Sequence, residues 1–518
     1  MRSVVNRCTQ ELGSARGAYT TVESVEDIEA LRRAAGYEKL VLYGTSYGTK
    51  VALDYAERYP QNVEALVLDS TEAPNGPDPF HLSTFKAMAP ALLELCSNHA
   101  CDRALSDPVS DLARLTARLQ RHPLSGYAYN PHGKRIKVAL SDRGLYQLLL
   151  GGDLNPALRA EIPAVVHAAV DHDSGPLLRI VALAESVSSP EQSAEIDETL
   201  FVTTSCEETP FPWQRGADEA TRIVEVEAAL NKLPAGDFYP FDGEAAFFEN
   251  IPLCVAWPDA SPPPPPVSPL PDVPTLIFSG GQDLRTPTEN ARHVMELIPD
   301  AQILTVPFTG HSVIGSDLSG CAKAAMISFF GGAAIVPCTN TIDRLPPVPL
   351  PPPSLSQVSP TRGLRGIRGR TLAAALDTVR DLRRTIIELG FDANALPTGV
   401  HFGGLRGGSA SLTKTEAVLS RLSYVPGVQL SGHISINLLL KDRGAEANLL
   451  IGGTSASAGN LQIHSLGKLR GLLAGKRFSL KVPAAATIAD ADPSRSEEEW
   501  LGGFDPFPLP DVARLRNG

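Results

Sequence analysis

One segment of the chain has the residue pattern of an activated serine. Residues 44–48 read Gly-Thr-Ser-Tyr-Gly, which places Ser46 at the centre of a G-x-S-x-G motif. The apolar run at 40–43 predicts a buried central strand, and apolar residues at helical spacing after Thr49 predict a helix that Pro60 ends. Strand, motif and helix in this order are the context in which the motif presents a serine for nucleophilic attack.

The sharp turn between that strand and that helix explains the two glycines of the motif. The turn forces Ser46 into strained backbone geometry, and we expect Gly44 and Gly48 to lack side chains so that strand and helix can pack closely. The helix N-terminus then directs its partial positive charge at the reacting centre. The backbone N–H of Tyr47 is the predicted donor to a developing oxyanion.

A serine hydroxyl is a weak nucleophile until a base removes its proton and an acid orients that base. Asp283 follows the predicted strand 273–278, and His311 follows the predicted strand 302–306. Because parallel strands end at the same sheet edge, both loops open beside Ser46. The chain order Ser, Asp, His is that of an α/β-hydrolase, so the sequence predicts these three residues as a catalytic triad.

Each of these residues also has a purely structural interpretation. Ser46 alone could be a serine in a strand-to-helix turn, Asp283 a turn residue, and His311 one of eleven histidines in the chain. Their order, each on a loop after a predicted strand, favours the triad. Asp69 also ends a predicted strand and is the alternative acid.

The pattern of predicted strands and helices divides the chain into an α/β-hydrolase core, a cap and a C-terminal domain. We predict core segments at 1–71 and 271–340, a mainly helical cap insertion at 72–270, a Pro-rich linker at 341–360, and a helix plus a β-sandwich-like domain of unknown role at 361–518. The last domain shows no catalytic constellation.

Composition narrows the possible partners. A net charge of −12 over 518 residues argues against nucleic acid as the main partner. No run of 18 apolar residues occurs, so we expect no membrane span. No Cys/His cluster has zinc spacing, and a serine hydrolase that acts through an acyl-enzyme needs neither a metal nor a cofactor.

The seven cysteines indicate core thiols or disulfides. Cys96 and Cys101 flank a tight loop and could close on each other, and an odd cysteine is left over. Such cysteine usage is typical of an exported protein, whereas the residues before Tyr19 lack the apolar core of a secretory signal. These two observations conflict.

Three motifs together resemble the tripeptidyl-aminopeptidase-like branch of the proline iminopeptidase family. They are Gly44-Thr-Ser-Tyr-Gly-Thr-Lys50, the stretch Ser279-Gly-Gly-Gln-Asp-Leu-Arg-Thr-Pro-Thr-Glu-Asn-Ala291, and Gly310-His-Ser312 followed by Cys321-Ala322. The resemblance covers about 15–345, is weak in the cap and is absent from 361–518. It implies α/β-hydrolase serine exopeptidases, mostly secreted or on the bacterial cell envelope.

The resemblance also implies roles for particular residues. It makes Ser46 the nucleophile, Asp283 the acid and His311 the base, and it implies that carboxylates in the cap bind the free α-amine of the substrate. The candidates are Glu207 and Glu208, although glutamates on a surface are the plainer interpretation. The disulfides that it suggests are Cys206–Cys254 and Cys321–Cys338.

The chain departs from the family at its beginning. The fold places several strands before the nucleophile strand, and one of their loops supplies the second oxyanion donor. Residues 1–38 have room for one helix only, which Thr20 and Thr21 can cap and which ends at Gly36. We therefore expect a fold that is incomplete at the N-terminus, with an exposed sheet edge. We also expect the chain as given to be unstable or poorly active, because such a donor contributes roughly 3 kcal/mol to catalysis.

The sequence thus predicts a serine hydrolase that releases short peptides or single residues from free N-termini through an acyl-enzyme. Its expected location is secreted or on the cell envelope for a full-length form. One alternative is an esterase or lipase-like α/β-hydrolase with the same triad. The other is a catalytically impaired binding scaffold.

Overall fold

The computed structural model divides into two compact units. One unit comprises Met1–Asn98 with Pro190–Asp343, and the other comprises His99–Ser189 with Arg344–Gly518. Within these ranges the structure describes residues 2–101, 105, 107–130, 134–187, 197–247, 250–264, 269–339, 343–393, 399–441, 446–464 and 467–481. The predicted cap at 72–270 therefore contributes to both units. Among the described residues, no helix is both long and apolar enough to cross a membrane.

The first unit is built on a four-stranded parallel sheet in the order β1-β2-β5-β6, with strands numbered along the chain. The strands are β1 (Leu40–Thr45), β2 (Val63–Asp69), β5 (Thr275–Gly280) and β6 (Ala301–Val306). The register pairs Thr45 with Asp69 and Asp69 with Phe278. The carboxyl ends of β1, β2 and β5 therefore lie side by side.

The first unit also contains helices. They are α1 (Arg2–Leu12), α2 (Thr21–Ala35), α3 (Tyr47–Arg58), α4 (Leu82–Leu95), α9 (Glu198–Glu208), α10 (Glu219–Leu230), α11 (Gly243–Phe247), α12 (Ile251–Val255), α13 (Thr288–Leu297), α14 (Val313–Ser316) and α15 (Cys321–Phe330). The side chain of Thr20 caps α2 by accepting from the backbone N–H of Glu23, and Gly36 ends it in the left-handed conformation. Both ends of α2 confirm the sequence prediction, whereas α1 was not predicted.

Both faces of the sheet are covered by apolar side chains. Leu66 and Leu68 of β2 pack into a cluster with Leu53 and Tyr55 of α3. Val67, which points to the opposite face, packs into a second cluster with α14 and α15. This double cover is typical of a parallel sheet and confirms the predicted α/β fold class.

The structure corrects the prediction that the nucleophile strand is central and buried. Among the described residues β1 pairs only with β2, so it forms one edge of the sheet. Val41 and Tyr43 are 48% and 46% exposed as a result, which confirms the exposed sheet edge that the sequence analysis also expected. An apolar run predicts a strand, but the burial of a strand depends on neighbours that the run does not specify.

The second unit combines helices with antiparallel sheets. Its helices are α5 (Pro108–Arg121), α6 (Asp142–Leu154), α7 (Pro156–Val170), α8 (Gly175–Val187), α16 (Gly366–Ala393) and α17 (Ile436–Lys441), and β3 (Leu124–Tyr129) and β4 (Arg135–Leu140) form a hairpin. The remaining strands are β7 (His401–Gly403), β8 (Gly407–Leu412), β9 (Glu416–Ser423), β10 (Gln429–Ser435), β11 (Glu446–Gly452), β12 (Gly459–His464), β13 (Lys468–Leu473) and β14 (Lys476–Lys481).

The predicted β-rich C-terminal domain is present, but among its described residues it forms a single sheet and not a sandwich. Strands β7 to β14 form one antiparallel sheet in which each strand pairs with the next along the chain. Apolar residues of α16, including Leu372, Val379 and Ile386, share a buried cluster with the sheet. Because this helix helps to bury the apolar face, the described part needs no second sheet. Residues 482–518 of the predicted domain lie outside the described residues.

Candidate active site

Ser46 sits in a strained turn between β1 and α3. Its backbone has φ 55° and ψ −124°, a conformation that residues with a side chain rarely adopt. Its backbone N–H donates to the carbonyl oxygen of Asp69 at 2.9 Å, which fixes the turn beside the end of β2. Ser46 is half-buried. This geometry confirms the strain predicted from the motif.

The two glycines of the motif differ in the space that a side chain would have. A Cβ atom on Gly44 would lie 2.2 Å from the carbonyl oxygen of Gly48, so residue 44 must lack a side chain. A Cβ atom on Gly48 itself would meet nothing within 4 Å. The expectation of close packing is therefore right for Gly44 and wrong for Gly48.

Asp283 and His311 lie together on the loops that follow β5 and β6. His311 Nδ1 is 3.1 Å from Asp283 Oδ2 and 3.2 Å from Asp283 Oδ1, and both residues are buried. Burial alone would raise the pKa of Asp283, but the charge and hydrogen bond of His311 outweigh it and lower that pKa. An ionised carboxylate beside Nδ1 favours the tautomer with its proton on Nδ1, so the lone pair of the imidazole lies on Nε2.

Thr286 is a site residue that the sequence analysis missed. Its hydroxyl donates to Asp283 Oδ2 at 2.8 Å and lies 3.2 Å from His311 Nδ1, while its backbone N–H donates to Asp283 Oδ1 at 2.8 Å. The available signal was the threonine three residues after Asp283, since such spacing allows a local turn in which the aspartate accepts from the following backbone. Thr286 orients the Asp283–His311 pair.

Asp69 is the alternative acid of the sequence analysis. In the described hydrogen bonds it contacts the backbone of the loop that carries His311 and not the imidazole of His311. Its carboxylate accepts from the backbone N–H groups of Val313 at 2.7 Å and Ile314 at 2.9 Å. Burial raises its pKa. Because the carbonyl of the same residue accepts from Ser46, Asp69 joins the loop that carries His311 to the nucleophile turn.

Tyr47 begins α3 directly after Ser46. The first N–H groups of a helix have no acceptor within the helix, so the backbone N–H of Tyr47 is available to a developing negative charge. Its side chain faces elsewhere, since the Tyr47 hydroxyl is 2.8 Å from Thr21 Oγ1. Burial raises the pKa of this hydroxyl, which therefore stays neutral.

The carboxylate of Glu207 is fully engaged within the protein. It accepts from Trp257 Nε1 at 3.1 Å, from the backbone N–H groups of Ala260 and Ser261 at 3.0 Å and 2.7 Å, and from the Ser261 hydroxyl. It also pairs with Arg215 at 2.9 Å. Burial opposes ionisation, but these hydrogen bonds lower the pKa of Glu207 overall. This arrangement is typical of a structural carboxylate.

Glu208 lies nearer to the nucleophile turn. It accepts from the backbone N–H of Thr21 at 2.7 Å and from the hydroxyl of the same residue at 2.6 Å. Its carboxylate is also 3.5 Å from Lys50 Nζ, which pairs with Asp54 at 2.7 Å. Lys50 follows Ser46 by one helical turn, so Glu208 reaches the first turn of α3.

Glu72 is a second residue that the sequence analysis missed. It lies three residues after β2, and its backbone N–H donates to Thr49 Oγ1 at 2.8 Å. Burial raises the pKa of its carboxyl to about 7; Glu208 and Asp54 also raise it, while Lys50 and His311 act in the opposite direction. Glu72 therefore belongs to an acidic cluster near the histidine, which we define as Asp54, Glu72 and Glu208 around Lys50.

The disulfides agree with the predictions. Cys206–Cys254 and Cys321–Cys338 are both bonded, as the resemblance suggested. Cys96 and Cys101 are disulfide-bonded as well, and Cys8 is a free thiol.

The chain is an α/β hydrolase by both fold and family comparison. Residues 7–95 match the family model for the alpha/beta hydrolase fold, and residues 239–336 match the model for TAP-like proteins. The first segment contains Ser46, and the second contains Asp283 and His311. The second match is to TAP-like proteins and the first to the wider fold family, so over these segments the chain is similar to TAP-like α/β hydrolases, which confirms the resemblance found from its motifs.

Curated relatives match over short segments only. The serine protease Hip1 of Mycobacterium tuberculosis is 36% identical over 104 residues, which is 20% of this chain and 19% of Hip1. Tripeptidyl aminopeptidase of Streptomyces lividans is 31% identical over 74 residues, which is 14% of each chain. In these matches the chain spans about a fifth or less of the length of its relatives.

Solved structures show a distant likeness. MGS-M2, an alpha/beta hydrolase enzyme from a Medee basin deep-sea metagenome library, is 14% identical with a TM-score of 0.23, over 62% of this chain and 76% of that one.

Proposed function

We propose that this protein is a serine peptidase that uses Ser46, Asp283 and His311 as its triad. The observation that carries the proposal is the buried Asp283–His311 pair, on a loop that Asp69 joins to the strained turn of Ser46. The names of the relatives, a serine protease and a tripeptidyl aminopeptidase, support peptide bonds as the target.

The reaction follows from the positions of these groups. Ser46 Oγ attacks the carbonyl carbon of the scissile bond while His311 Nε2 takes the hydroxyl proton. Asp283 accepts from Nδ1–H and stabilises the imidazolium, and the backbone N–H of Tyr47 donates to the oxyanion. His311 then gives its proton to the leaving amine, and a water molecule, activated by the same imidazole, hydrolyses the acyl-enzyme.

We further propose that the substrate enters with a free N-terminal amine. The acidic cluster contains three carboxyl groups and one lysine. The ammonium group of the substrate would therefore neutralise negative charge that Lys50 alone does not neutralise. Within this cluster we assign the amine to Glu72 and Glu208. Glu207 serves to position the segment beside Glu208, because protein donors already occupy its oxygens.

The disulfides support a proposal about the cellular location of the protein. Disulfides persist in oxidising compartments, so they support a secreted or envelope protein.

The test is hydrolysis of a fluorogenic tripeptide with a free or an acetylated N-terminus. We expect cleavage of the free form, at least a hundredfold slower cleavage of the acetylated form, and loss of both in Ser46→Ala. Equal cleavage of both forms would favour an esterase-like hydrolase or an endopeptidase. An intact, folded protein that cleaves neither peptide and does not react with a fluorophosphonate at Ser46 would be a non-catalytic scaffold.

A further inference from the structure

The outward face of strands β13 and β14 in the second unit carries a group of basic side chains. Lys468 and Arg470 of β13 lie on the same face as Arg477 and Lys481 of β14, because Lys468 pairs with Lys481 and alternate residues of a strand share a face. All four side chains are exposed. The opposite face of both strands contributes to the buried apolar cluster of the second unit. We call these four residues the basic patch.

The positive charge of the basic patch is uncompensated. Residues 447–481 contain no Asp or Glu, although the whole chain has a net charge of −12. Within the part of the chain that the structure describes, none of the four side chains forms an ion pair. The acidic residues of the neighbouring strands contact histidines instead, since Glu416 is 3.2 Å from His433 and Glu446 is 2.9 Å from His464.

Protection of the sheet edge explains only part of the basic patch. Basic side chains on an edge strand hinder edge-to-edge association, and β14 is an edge strand among the described residues. Lys468 and Arg470 lie on β13, however, which pairs with β12 on one side and with β14 on the other. Charge on such an internal strand is not needed to protect an edge.

Amide side chains extend the basic patch across the sheet. Gln462 of β12 is the cross-strand partner of Arg470, and Asn448 of β11 is the partner of Gln462. Both amides are exposed, and Gln462 Nε2 donates to Asn448 Oδ1 at 3.2 Å. We call these two residues the amide row. Because an amide carries both donors and acceptors, the row can bond to the hydroxyl groups of a sugar. With Arg470 and Ser479 the row crosses four strands, about 14 Å in all.

The composition of this face distinguishes between polyanions. The outward-facing residues of β11 to β14 include no Phe, Tyr or Trp, the side chains on which single-stranded nucleic acids stack their bases. An anionic membrane presents its charge over an area wider than the basic patch, and it would repel the remainder of an acidic chain. A single polymer chain can contact the patch alone.

We propose that the basic patch and the amide row bind an acidic polysaccharide, a linear glycan that carries carboxylates on its sugar units. Arg470 and Arg477 pair with the carboxylates, and Lys468 and Lys481 add positive charge beside them. The amide row bonds to the hydroxyl groups of the same chain. This function is separate from catalysis, because none of these residues belongs to the proposed catalytic or amine-binding site.

The probe for binding is an oligogalacturonate, a linear glycan with one carboxylate on each sugar unit. Fluorescence anisotropy of the end-labelled oligomer, titrated with the full chain, measures the affinity. The fully methyl-esterified oligomer is the matched control, since it keeps the sugar chain and lacks the charge. We expect the acid to bind at least about tenfold more tightly than the ester, and to bind more weakly as the salt concentration rises. Equal binding of acid and ester would overturn the proposal.

Two double variants locate the site. Arg470→Gln with Arg477→Gln is expected to lower the affinity at least about tenfold. Arg33→Gln with Arg292→Gln removes the same charge from exposed positions of the first unit, and its affinity should stay within about twofold of wild type. Thermal unfolding checks that both proteins are folded. Equal losses in the two double variants would assign binding to overall charge and overturn the proposal.

A third variant and two further ligands test the class of partner. Gln462→Ala is expected to weaken binding of the oligogalacturonate about threefold and to leave binding of a thymidine oligonucleotide unchanged. An equal effect on both ligands would overturn the assignment to a polysaccharide. Tighter binding of the oligonucleotide, or of phosphatidylglycerol vesicles at equal charge concentration, would also overturn it and indicate a nucleic acid or a membrane as the partner.

Discussion

Thr286 shows how one hydroxyl can contact both members of the proposed catalytic pair, Asp283 and His311. It donates to Asp283 and lies within hydrogen-bond distance of His311 Nδ1, so it limits rotation of both side chains. In the described hydrogen bonds, Thr286 contacts neither Ser46 nor Tyr47, whose backbone N–H is the proposed oxyanion donor. Thr286 is therefore a positioning residue whose loss should affect the chemical step more than substrate binding.

We expect Thr286→Val to lower kcat about tenfold, the effect of losing one buried hydrogen bond to a charged group, and to leave KM nearly unchanged. Thr286→Ser keeps the hydroxyl and should recover most of the rate. Steady-state kinetics with a free-amine tripeptide measures both variants. A rise in KM with unchanged kcat would contradict the positioning role.

Glu72 makes the pH dependence of substrate choice testable. Its pKa of about 7 means that the carboxylate proposed to bind the amine forms only as the pH rises through neutrality. The ratio of kcat/KM for a free-amine peptide to that for its acetylated form should therefore rise between about pH 6 and 7.5. Deprotonation of His311 affects both substrates and cancels in the ratio. We expect this rise to vanish in Glu72→Gln, and a rise that persists in the variant would remove Glu72 from the amine site.

The carboxyl group of Glu72 should also affect the free energy of unfolding in a defined direction. Its pKa is raised in the folded protein, so its favourable contribution to stability is complete below about pH 4.5 and is lost as the pH rises through about 7. Glu72→Gln cannot ionise. Between pH 5 and 8 its free energy of unfolding should therefore fall less than that of the wild type, as measured by urea unfolding at several pH values. A parallel decline in both proteins would contradict the assigned pKa.

At the level of the elements, the nucleophile turn distinguishes its two glycines. A side chain on Gly44 would collide with the backbone of α3, whereas one on Gly48 would meet open space within a helix. We expect Gly44→Ala to unfold the turn and abolish activity. Gly48→Ala should be neutral or more stable by about 0.5 kcal/mol, because alanine favours a helix over glycine. Circular dichroism and thermal unfolding measure both, and equal damage in the two variants would contradict the geometry.

The edge strand β1 is expected to promote association between molecules. It exposes apolar side chains beside backbone groups that no described strand pairs, which is the usual template for edge-to-edge association. We expect Val41→Lys to reduce concentration-dependent association in light scattering. Leu31→Lys on α2 adds the same charge at a site that is 69% exposed, but away from the edge. If both variants reduce association equally, general surface charge and not the edge is responsible.

The elements also show what a sequence can and cannot predict. The ends of α2 followed from Thr20 and Gly36, because caps are local chemistry. The apolar run of β1 wrongly predicted a buried strand, whereas the number of elements expected in residues 1–38 predicted an exposed sheet edge, because burial is set by neighbours in space. Glu72 and Thr286 were missed for a related reason: their roles depend on loops from other strands that meet them. The proximity of Asp283 and His311 was predicted correctly because strand ends in a parallel sheet are ordered by topology as well as by sequence.

At the scale of the whole molecule, the proposed catalytic residues all belong to one of the two units. Ser46, Asp283, His311 and the acidic cluster belong to the first unit. The second unit contains a buried ion pair in which Arg179 of α8 contacts Asp381 of α16 at 2.6 Å. Arg179 also donates to Thr385 at 2.5 Å. This pair ties the segment 99–189 to the C-terminal region of the same unit.

Arg179→Met should therefore destabilise the second unit without touching the catalytic residues. Removal of one partner leaves Asp381 buried without its main counter-charge, which costs about 3–5 kcal/mol. The double variant with Asp381→Leu should recover much of that loss, since it removes the stranded charge along with the pair. Calorimetry should show an earlier unfolding transition in the single variant, while the initial rate of peptide cleavage below that transition stays within twofold of wild type. A rate that falls in step with the transition would mean that the catalytic unit does not hold its structure when the second unit unfolds.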